Sequence, residues 1–310
     1  MTTSSNNTLN SAFEAIQTCV EEIKALLLYS GESVTHYTGL SSAQALIMQG
    51  SEFRISEGAY LNDTSEGTEV FDFLSVAHSA HAGRGALAEL FAEKPFIGSF
   101  VTEIKHDDLA LWRMYAKDNK EEANGCAITL NMKRFQESLK APFSASRSKA
   151  TDVETVPEPR FYRVAYRDSS GKDRFLVPGV PAQVEQDLNR HMHDLAKAVE
   201  TFRSLSPSAL GTHDLIELLN EIAYIFKSAE YQYEHELRLV IKGKGFAKLI
   251  KEDRMPPKVY IQLVPLKSLI EKITFGPKVD RPDEWAAAFH YSLLEEGYEP
   301  EILISRLPFK

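Results

Sequence analysis

Apolar residues recur at two spacings along the chain, and the two spacings predict two kinds of element. Spacings of three or four predict helices at 9–29, 41–50, 107–117, 182–204, 208–228 and 282–296. Short alternating or continuous apolar runs predict strands at 34–40, 53–56, 96–102, 125–130, 231–241, 258–263, 273–275 and 302–305. Short strands mixed with inserted helices indicate the α+β class rather than a doubly wound parallel sheet.

The length of the chain predicts one elaborated domain, or one domain with helical additions. At 310 residues it exceeds the usual size of a single core. We expect residues 1–33 to form an N-terminal packing helix and residues 34–310 to form the domain. Within that domain, the Ser-, Thr- and Pro-rich stretch at about 142–159 predicts a loop insert, and the stretch at about 182–228 predicts a helical insert.

Composition narrows the class of protein. With 43% hydrophobic and 25% charged residues, the chain is typical of soluble globular proteins, and it holds no apolar run of the ~20 residues that a membrane span needs. The N-terminus lacks the basic and apolar regions of a signal peptide, so we expect a cytoplasmic protein without a membrane partner. A net charge of −9 argues against broad affinity for nucleic acid. It does not exclude a local basic groove that binds nucleic acid at one place.

Cysteine and histidine give no sign of a metal site. Cys19 and Cys126 are too isolated for a zinc site and are interpreted as reduced thiols. His191 and His193 are two residues apart on a predicted helix, where they would face away from each other. We therefore predict no metal.

The segment 231–241 carries the candidate chemistry. In an extended strand, Glu234, Glu236 and Arg238 would share one face, with neighbours of that face roughly 6.5–7 Å apart. Two carboxylates at that spacing could contact one substrate, or one could shift the pKa of the other. The alternative is a half-buried strand whose charges pair with those of a neighbouring strand.

Two further segments carry candidate binding residues. His36, Tyr37 and Thr38 lie on the first predicted strand, where a histidine more often has a structural role in bonding the backbone. In the helix near 109–116, Trp112 is expected in the core, whereas Arg113 has the planar donor fork that suits a pyrophosphate.

These segments together resemble the ADP-ribosyltransferase superfamily, and more closely a bacterial family of unknown function grouped with it. The resemblance runs from about Thr35 to the C-terminus. It rests on five motifs in order, which are His36-Tyr-Thr38, Leu61-Asn-Asp63, Leu111-Trp-Arg-Met-Tyr115, Glu234-x-Glu-x-Arg238 and Phe275-Gly-Pro277. It implies an ADP-ribosyltransferase-like mixed or antiparallel β core with inserted and N-terminal helices.

The resemblance also implies roles for residues. Glu236 would stabilise the cationic ribose formed from NAD, Glu234 would act on the acceptor side, and His36 would hold a ribose of NAD. An aromatic residue or a serine on the second strand supports nicotinamide in the family, and Tyr60 matches the aromatic residue poorly because it falls at the end of a strand or in a loop. The predicted NAD-binding residues are His36, Tyr37, Thr38, Tyr60, Asn62, Asp63, Arg113, Tyr115 and Arg238, with Glu66 at the mouth of the site.

Three functional hypotheses follow. The first is an NAD-dependent ADP-ribosyltransferase, as in toxins or phage-defence effectors, acting on a protein or on nucleic acid as DarT-like toxins do on DNA. An antitoxin or other inhibitor protein would then be a further partner. The second is an NAD glycohydrolase, in which water replaces the acceptor. The third is a non-catalytic module that keeps the fold and binds a ligand or partner.

Overall fold

The structure, a computed structural model, is α+β, with a mostly antiparallel sheet and several helices. It describes residues 2–61, 66–76, 94–149, 159–170, 173–205, 209–243, 245–253 and 255–309. Asn62 and Asp63 of the predicted site therefore lie outside the described residues. Within the described part of the chain, no helix is both long and apolar enough to cross a membrane.

The elements follow one another in chain order. The helices are α1 (Thr2–Leu27), α2 (Leu40–Ile47), α3 (Glu69–Phe73), α4 (Leu109–Tyr115), α5 (Met132–Lys149), α6 (Ala182–Leu205), α7 (Ala209–Ala223) and α8 (Pro282–Leu294). The strands are β1 (Ser33–Gly39), β2 (Glu52–Glu57), β3 (Phe96–Val101), β4 (Gly125–Asn131), β5 (Phe161–Arg163), β6 (Ala165–Asp168), β7 (Arg174–Leu176), β8 (Phe226–Ser228), β9 (Glu236–Ile241), β10 (Leu249–Lys251), β11 (Lys258–Pro265), β12 (Ile270–Phe275) and β13 (Glu301–Ile304).

The chain divides into two compact units. Unit 1 comprises 1–29, 58–94 and 162–235, and unit 2 comprises 30–57, 95–161 and 236–310. The boundary predicted from the sequence separates only residues 1–33 from a domain at 34–310, whereas the structure groups α1 with two later segments. Contacts between residues distant in sequence, which no local pattern encodes, set this division.

Unit 1 is built on helix packing. The apolar stripe of α1, which includes Ile16, Val20 and Ile23, is fully buried, and α1 packs against α6 and α7. The ammonium of Lys24 on α1 lies 2.9 Å from a carboxylate oxygen of Glu221 on α7. A small sheet in the order β7–β6–β8 completes the unit, with β8 parallel to β6.

Unit 2 is built on a large sheet. Its strands follow the order β10–β11–β2–β3–β1–β4–β12–β13, and β9 pairs with β3. The pairs with described register are antiparallel except β12 with β13. The core on one face of this sheet is aromatic, since the rings of Phe53, Phe100, Phe135 and Phe161 lie with their centroids 5.3–6.1 Å apart in successive contacts.

The predicted strand at 231–241 is wrong in its first half. Residues Ala229–Glu234 form a 3-10 helix, His235 has a left-handed backbone (φ 49°, ψ 46°), and β9 begins at Glu236. The hydroxyl of Ser228 accepts a hydrogen bond from the N–H of Glu230, which starts the turn. The alternation of residues that share a face in this segment is typical of a strand, although the backbone of its first half forms a turn.

Two other predicted boundaries are wrong. The helix predicted to reach residue 228 ends at Ala223, because Phe226–Ser228 pairs with β6 as strand β8. The loop insert predicted at about 142–159 is helical up to Lys149, with Pro142 inside α5. Phe143 explains why the helix continues, since its buried ring contacts that of Phe246 with centroids 5.2 Å apart.

The burial of Trp112 confirms that it is a core residue and gives a test of the fold. Its side chain is fully buried, its ring packs edge-on to Tyr37 with centroids 4.7 Å apart, and its indole N–H donates to Asp107 (2.7 Å). We expect Trp112→Ala to lower the free energy of unfolding by about 3–5 kcal/mol, measured by denaturant titration. Trp285, which is partly exposed, supplies the matched control, and an equal loss in Trp285→Ala would contradict this account.

Candidate functional site

Glu236 and Arg238 form a buried ion pair at the start of β9. The guanidinium donates from Nε to Oε1 (2.9 Å) and from Nη2 to Oε2 (2.8 Å) of the carboxylate. The side chains are 7% and 1% exposed. The prediction that these two residues share a face of the strand is therefore confirmed, and the bidentate contact favours the ionised carboxylate.

The register of the sheet identifies which residues share the face of Glu236. Glu236 lies opposite Val101 on β3, and Val101 lies opposite Thr35 on β1. Residues that oppose one another across strands point to the same side of a sheet. Tyr37, two residues after Thr35, therefore lies on the same face as Glu236, and it belongs with Val101 to one buried cluster.

His36 lies on the opposite face of this sheet. Its Nδ1 donates to the carbonyl oxygen of Ser99 (2.9 Å), and its ring packs against Phe53 and Phe100 with centroids 5.0 and 5.6 Å away. Burial lowers the pKa of His36, and the bond to Ser99 opposes this only in part. The structure does not bring His36 together with Glu236, and the alternative of a structural histidine accounts for all its contacts.

Glu234 belongs to a separate ion cluster in unit 1. Lys227 on β8 places its ammonium 2.8 Å from Glu234 and 3.4 Å from Glu66, and 4.4 Å from the ring centroid of Tyr231. The side chains of Lys227, Glu234 and Glu66 are 3%, 1% and 4% exposed. Two buried carboxylates thus share one ammonium.

Lys227 is the residue that sequence reasoning missed. It follows Ile225 and Phe226, and the helix predicted over 208–228 includes it without giving it a role. A lysine that interrupts a buried apolar run was the available signal, since lysine is almost never fully buried without a partner.

Two glycines position the segment that carries Glu66. A Cβ atom at Gly58 would lie 2.6 Å from the ring of Tyr224, and one at Gly67 would lie 2.8 Å from it. The backbone therefore passes close to the ring of Tyr224 twice, once before and once after the segment that contains Asn62, Asp63 and Glu66. Tyr60 ends a 3-10 turn directly after β2, which agrees with its predicted place at the end of a strand.

The helix α4 lies on β1 beside the cluster that holds Tyr37. Asp108 caps it by accepting from the N–H groups of Ala110 (3.0 Å) and Leu111 (3.3 Å). The hydroxyl of Tyr37 donates to the carbonyl of Lys105 (2.5 Å), and burial raises the pKa of Tyr37. Thr38 is buried opposite Cys126 on β4.

The last residues of the chain cover part of α4. Tyr115, Leu307 and Phe309 pack against the buried cluster that contains Trp112. Two cations lie near the ring of Phe309, with Arg113 at 5.1 Å and Lys278 at 5.0 Å from its centroid. Arg113 keeps an exposed side chain, so its guanidinium is accessible to an anion.

The structure therefore brings together some of the predicted site residues and separates others. Tyr37, Arg113, Tyr115, Glu236 and Arg238 belong to one side of the sheet of unit 2, whereas His36 lies on the other side. In the described ranges, no three His, Cys, Asp or Glu side chains are grouped as ligands for a metal ion.

Comparison with known proteins adds no relative. No protein-family model, no curated protein and no solved structure matches the chain. The resemblance to ADP-ribosyltransferases therefore stays a prediction that rests on the motifs.

The cluster around Lys227 gives a test of its buried charges. We expect Lys227→Met to lower the free energy of unfolding by about 3–5 kcal/mol, because it leaves Glu66 and Glu234 buried without that cation. Denaturant titration measures the change. Lys197→Met is the control, since Lys197 is 78% exposed and its ammonium pairs with a surface aspartate at 3.5 Å. Equal stabilities of the two variants would show that the cluster contributes nothing.

The buried imidazole of His36 predicts a dependence of stability on pH. Because folding lowers the pKa of His36 below its usual value of about 6.5, the unfolded chain binds a proton first as the pH falls. The contribution of His36 to stability is therefore complete above about pH 6.5 and is lost below it, at up to about 1.4 kcal/mol for each pH unit.

The variant His36→Asn isolates this effect, because an amide can keep a bond to the carbonyl of Ser99 and does not titrate. The loss of unfolding free energy between about pH 7.5 and 5.5 should be smaller in the variant than in the parent, since the step near pH 6.5 is absent. Identical losses in the two proteins would mean that His36 is protonated as readily in the folded state as in the unfolded state.

Proposed function

We propose that the chain is an NAD-dependent ADP-ribosyltransferase with an ADP-ribosyltransferase-like fold, and that Glu236 is its catalytic carboxylate. The observation that carries the proposal is the buried pair at the start of β9, where Arg238 holds both oxygens of Glu236. An ionised carboxylate in a site of low polarity is what a developing cationic sugar requires. The five ordered motifs supply the further support.

The proposed reaction requires one carboxylate that stabilises a cationic sugar. The bond between nicotinamide and ribose breaks, and nicotinamide leaves with the electron pair. The sugar that is left has oxocarbenium character, which Glu236 stabilises through its charge and through a hydrogen bond from a ribose hydroxyl. The acceptor then attacks the anomeric carbon and gives up a proton. Glu234 stays the predicted acceptor-side residue, and its carboxylate is held by Lys227.

The proposed contacts of the other residues with NAD differ from those predicted from the sequence. Arg113 is the candidate for the pyrophosphate, because its guanidinium is exposed on the side of the sheet that carries Glu236. Tyr115 and Tyr37 lie in the adjoining cluster and line that side. His36 is not assigned a contact with NAD, since its ring is packed among phenylalanines on the other face.

A second candidate function has an observation in its favour. Glu236 and Glu234 each already bond a buried cation within their own unit, as structural ion pairs do. A non-catalytic module that keeps the fold and binds a ligand or partner would need these contacts for stability alone. Hydrolysis of NAD, with water as the acceptor, uses the same carboxylate and differs from transfer only in its product.

Two isosteric variants separate these functions. We expect Glu236→Gln to reduce release of nicotinamide from NAD by two to three orders of magnitude, because a preorganised charge contributes about 3–4 kcal/mol to the transition state. We expect Glu234→Gln to keep hydrolysis and to lose transfer. The measurement is chromatography of labelled NAD and its products, with and without candidate protein and nucleic-acid acceptors.

The control is Glu122→Gln, which removes a carboxylate that is 47% exposed. Each variant is first compared with the parent in thermal melting. A folded Glu236→Gln protein that releases nicotinamide at the rate of the parent would refute the catalytic role. A parent that consumes no NAD but binds it would favour the binding module.

A further inference from the structure

We infer that one face of the sheet of unit 2 binds single-stranded nucleic acid. This face, called the basic face, consists of Arg54 on β2, Lys258 and Tyr260 on β11, and Lys251 on β10. Binding of nucleic acid does not depend on the proposed function. Only the further inference that the bound nucleic acid is the acceptor of ADP-ribose rests on it.

The register of the strands places these side chains on one side. Lys251 lies opposite Lys258, Tyr260 lies opposite Ser56, and Arg54 lies two residues before Ser56. The alternate residues Ile55 and Ile261 are 2% and 0% exposed, so the core is on the other side. The basic face therefore points to solvent.

Charge in this region departs from that of the whole chain. The segment 242–258 contains six Lys or Arg residues and two acidic residues, whereas the chain carries a net charge of −9. Local positive charge on an acidic protein favours a polyanion that binds at one place rather than everywhere. Acidic groups nearby are Glu52, which lies two residues before Arg54 on the same side of β2, and Asp253, which lies 3.8 Å from Lys251.

The cross-strand pair of Lys251 and Lys258 is a further indication. Like charges placed directly opposite one another destabilise a sheet. Lysine on an edge strand commonly prevents aggregation, and this explains Lys251 on β10. It does not explain Lys258 and Arg54, which lie on the two strands inside that edge.

Tyr260 identifies the kind of polyanion. The guanidinium of Arg54 lies over the ring of Tyr260, 5.0 Å from its centroid. Aromatic rings and guanidinium planes on an open sheet stack unpaired bases, while neighbouring lysines contact the phosphates. An acidic peptide would use the lysines and would have no use for a stacking surface. The combination therefore favours single-stranded nucleic acid.

The test is fluorescence anisotropy with a labelled oligodeoxythymidylate of about 20 nucleotides, longer than the ~4–16 nucleotides that one single-strand-binding domain covers. Affinity is measured between about 50 and 200 mM salt, because each phosphate contact adds about 0.7 to the slope of log affinity against log salt. We expect Lys251→Ala/Lys258→Ala to lower that slope by about 1.4, for two lost contacts.

A second variant separates stacking from charge. Tyr260→Leu should weaken binding about fivefold or more while leaving the salt slope unchanged, because a stacked base is lost and no phosphate contact is. The matched control for charge is Lys140→Ala/Lys197→Ala, which removes two lysines that are 59% and 78% exposed elsewhere on the chain. It should bind like the parent.

Four results would overturn the inference. These are a parent that does not bind the oligonucleotide, a control pair that loses as much affinity as Lys251→Ala/Lys258→Ala, an oligoglutamate that competes as well as unlabelled oligonucleotide, and a Tyr260→Leu variant with unchanged affinity. If Lys251→Ala/Lys258→Ala does not fold, Lys251→Arg/Lys258→Arg decides, since it must keep binding. Label from NAD on the oligonucleotide would support the acceptor role, whereas binding without label would count only against the proposed function.

Discussion

The guanidinium of Arg238 is buried in the sheet of unit 2, and the fold around it depends on Glu236. A buried cation of this size is tolerated only with excellent geometry, and the two parallel hydrogen bonds to the carboxylate provide it. The same constraint holds in unit 1, where Lys227 is buried between Glu66 and Glu234. The short segment from Glu234 to Arg238 therefore contributes to both. Glu234 belongs to the buried ion cluster of unit 1, whereas Glu236 and Arg238 form the buried ion pair of unit 2.

Buried charges of this kind can serve structure or chemistry, and their surroundings decide between the two. Beside Glu236, one side of the sheet holds Val101 and Tyr37, and helix α4 adds the exposed guanidinium of Arg113. A buried carboxylate on the same side of the sheet as an exposed guanidinium is consistent with the proposed reaction, in which the sugar becomes cationic and the pyrophosphate is anionic. The left-handed backbone of His235 between the two glutamates fits the same proposal, because strained residues concentrate at functional sites.

Local patterns in the sequence were sufficient where a local interaction determined the structure. Asp108 caps α4 through neighbouring N–H groups, and Trp112 lies in the core and Glu236 shares a face with Arg238, both as predicted. The pattern failed where distant contacts decide. Lys227 lies on a strand because β8 pairs with β6, which is some 60 residues earlier in the chain, and helical periodicity continued across it.

His36 shows a different limit of sequence reasoning. Its place on the first strand was predicted, but which face of the sheet meets the core depends on the register of β1 with β3 and β4. That register places the imidazole among phenylalanines and Thr35 on the side of Glu236. A motif can therefore identify a strand correctly and still assign its residues to the wrong side.

The most direct test of the central claim is a crystal structure of the Glu236→Gln variant, or of the parent, with NAD bound. The account predicts a hydroxyl of the nicotinamide ribose within about 2.6–3.2 Å of the side chain at position 236, the reach of a hydrogen bond to a catalytic group. It would be contradicted by a ribose held elsewhere, with Glu236 in the parent making no contact with NAD.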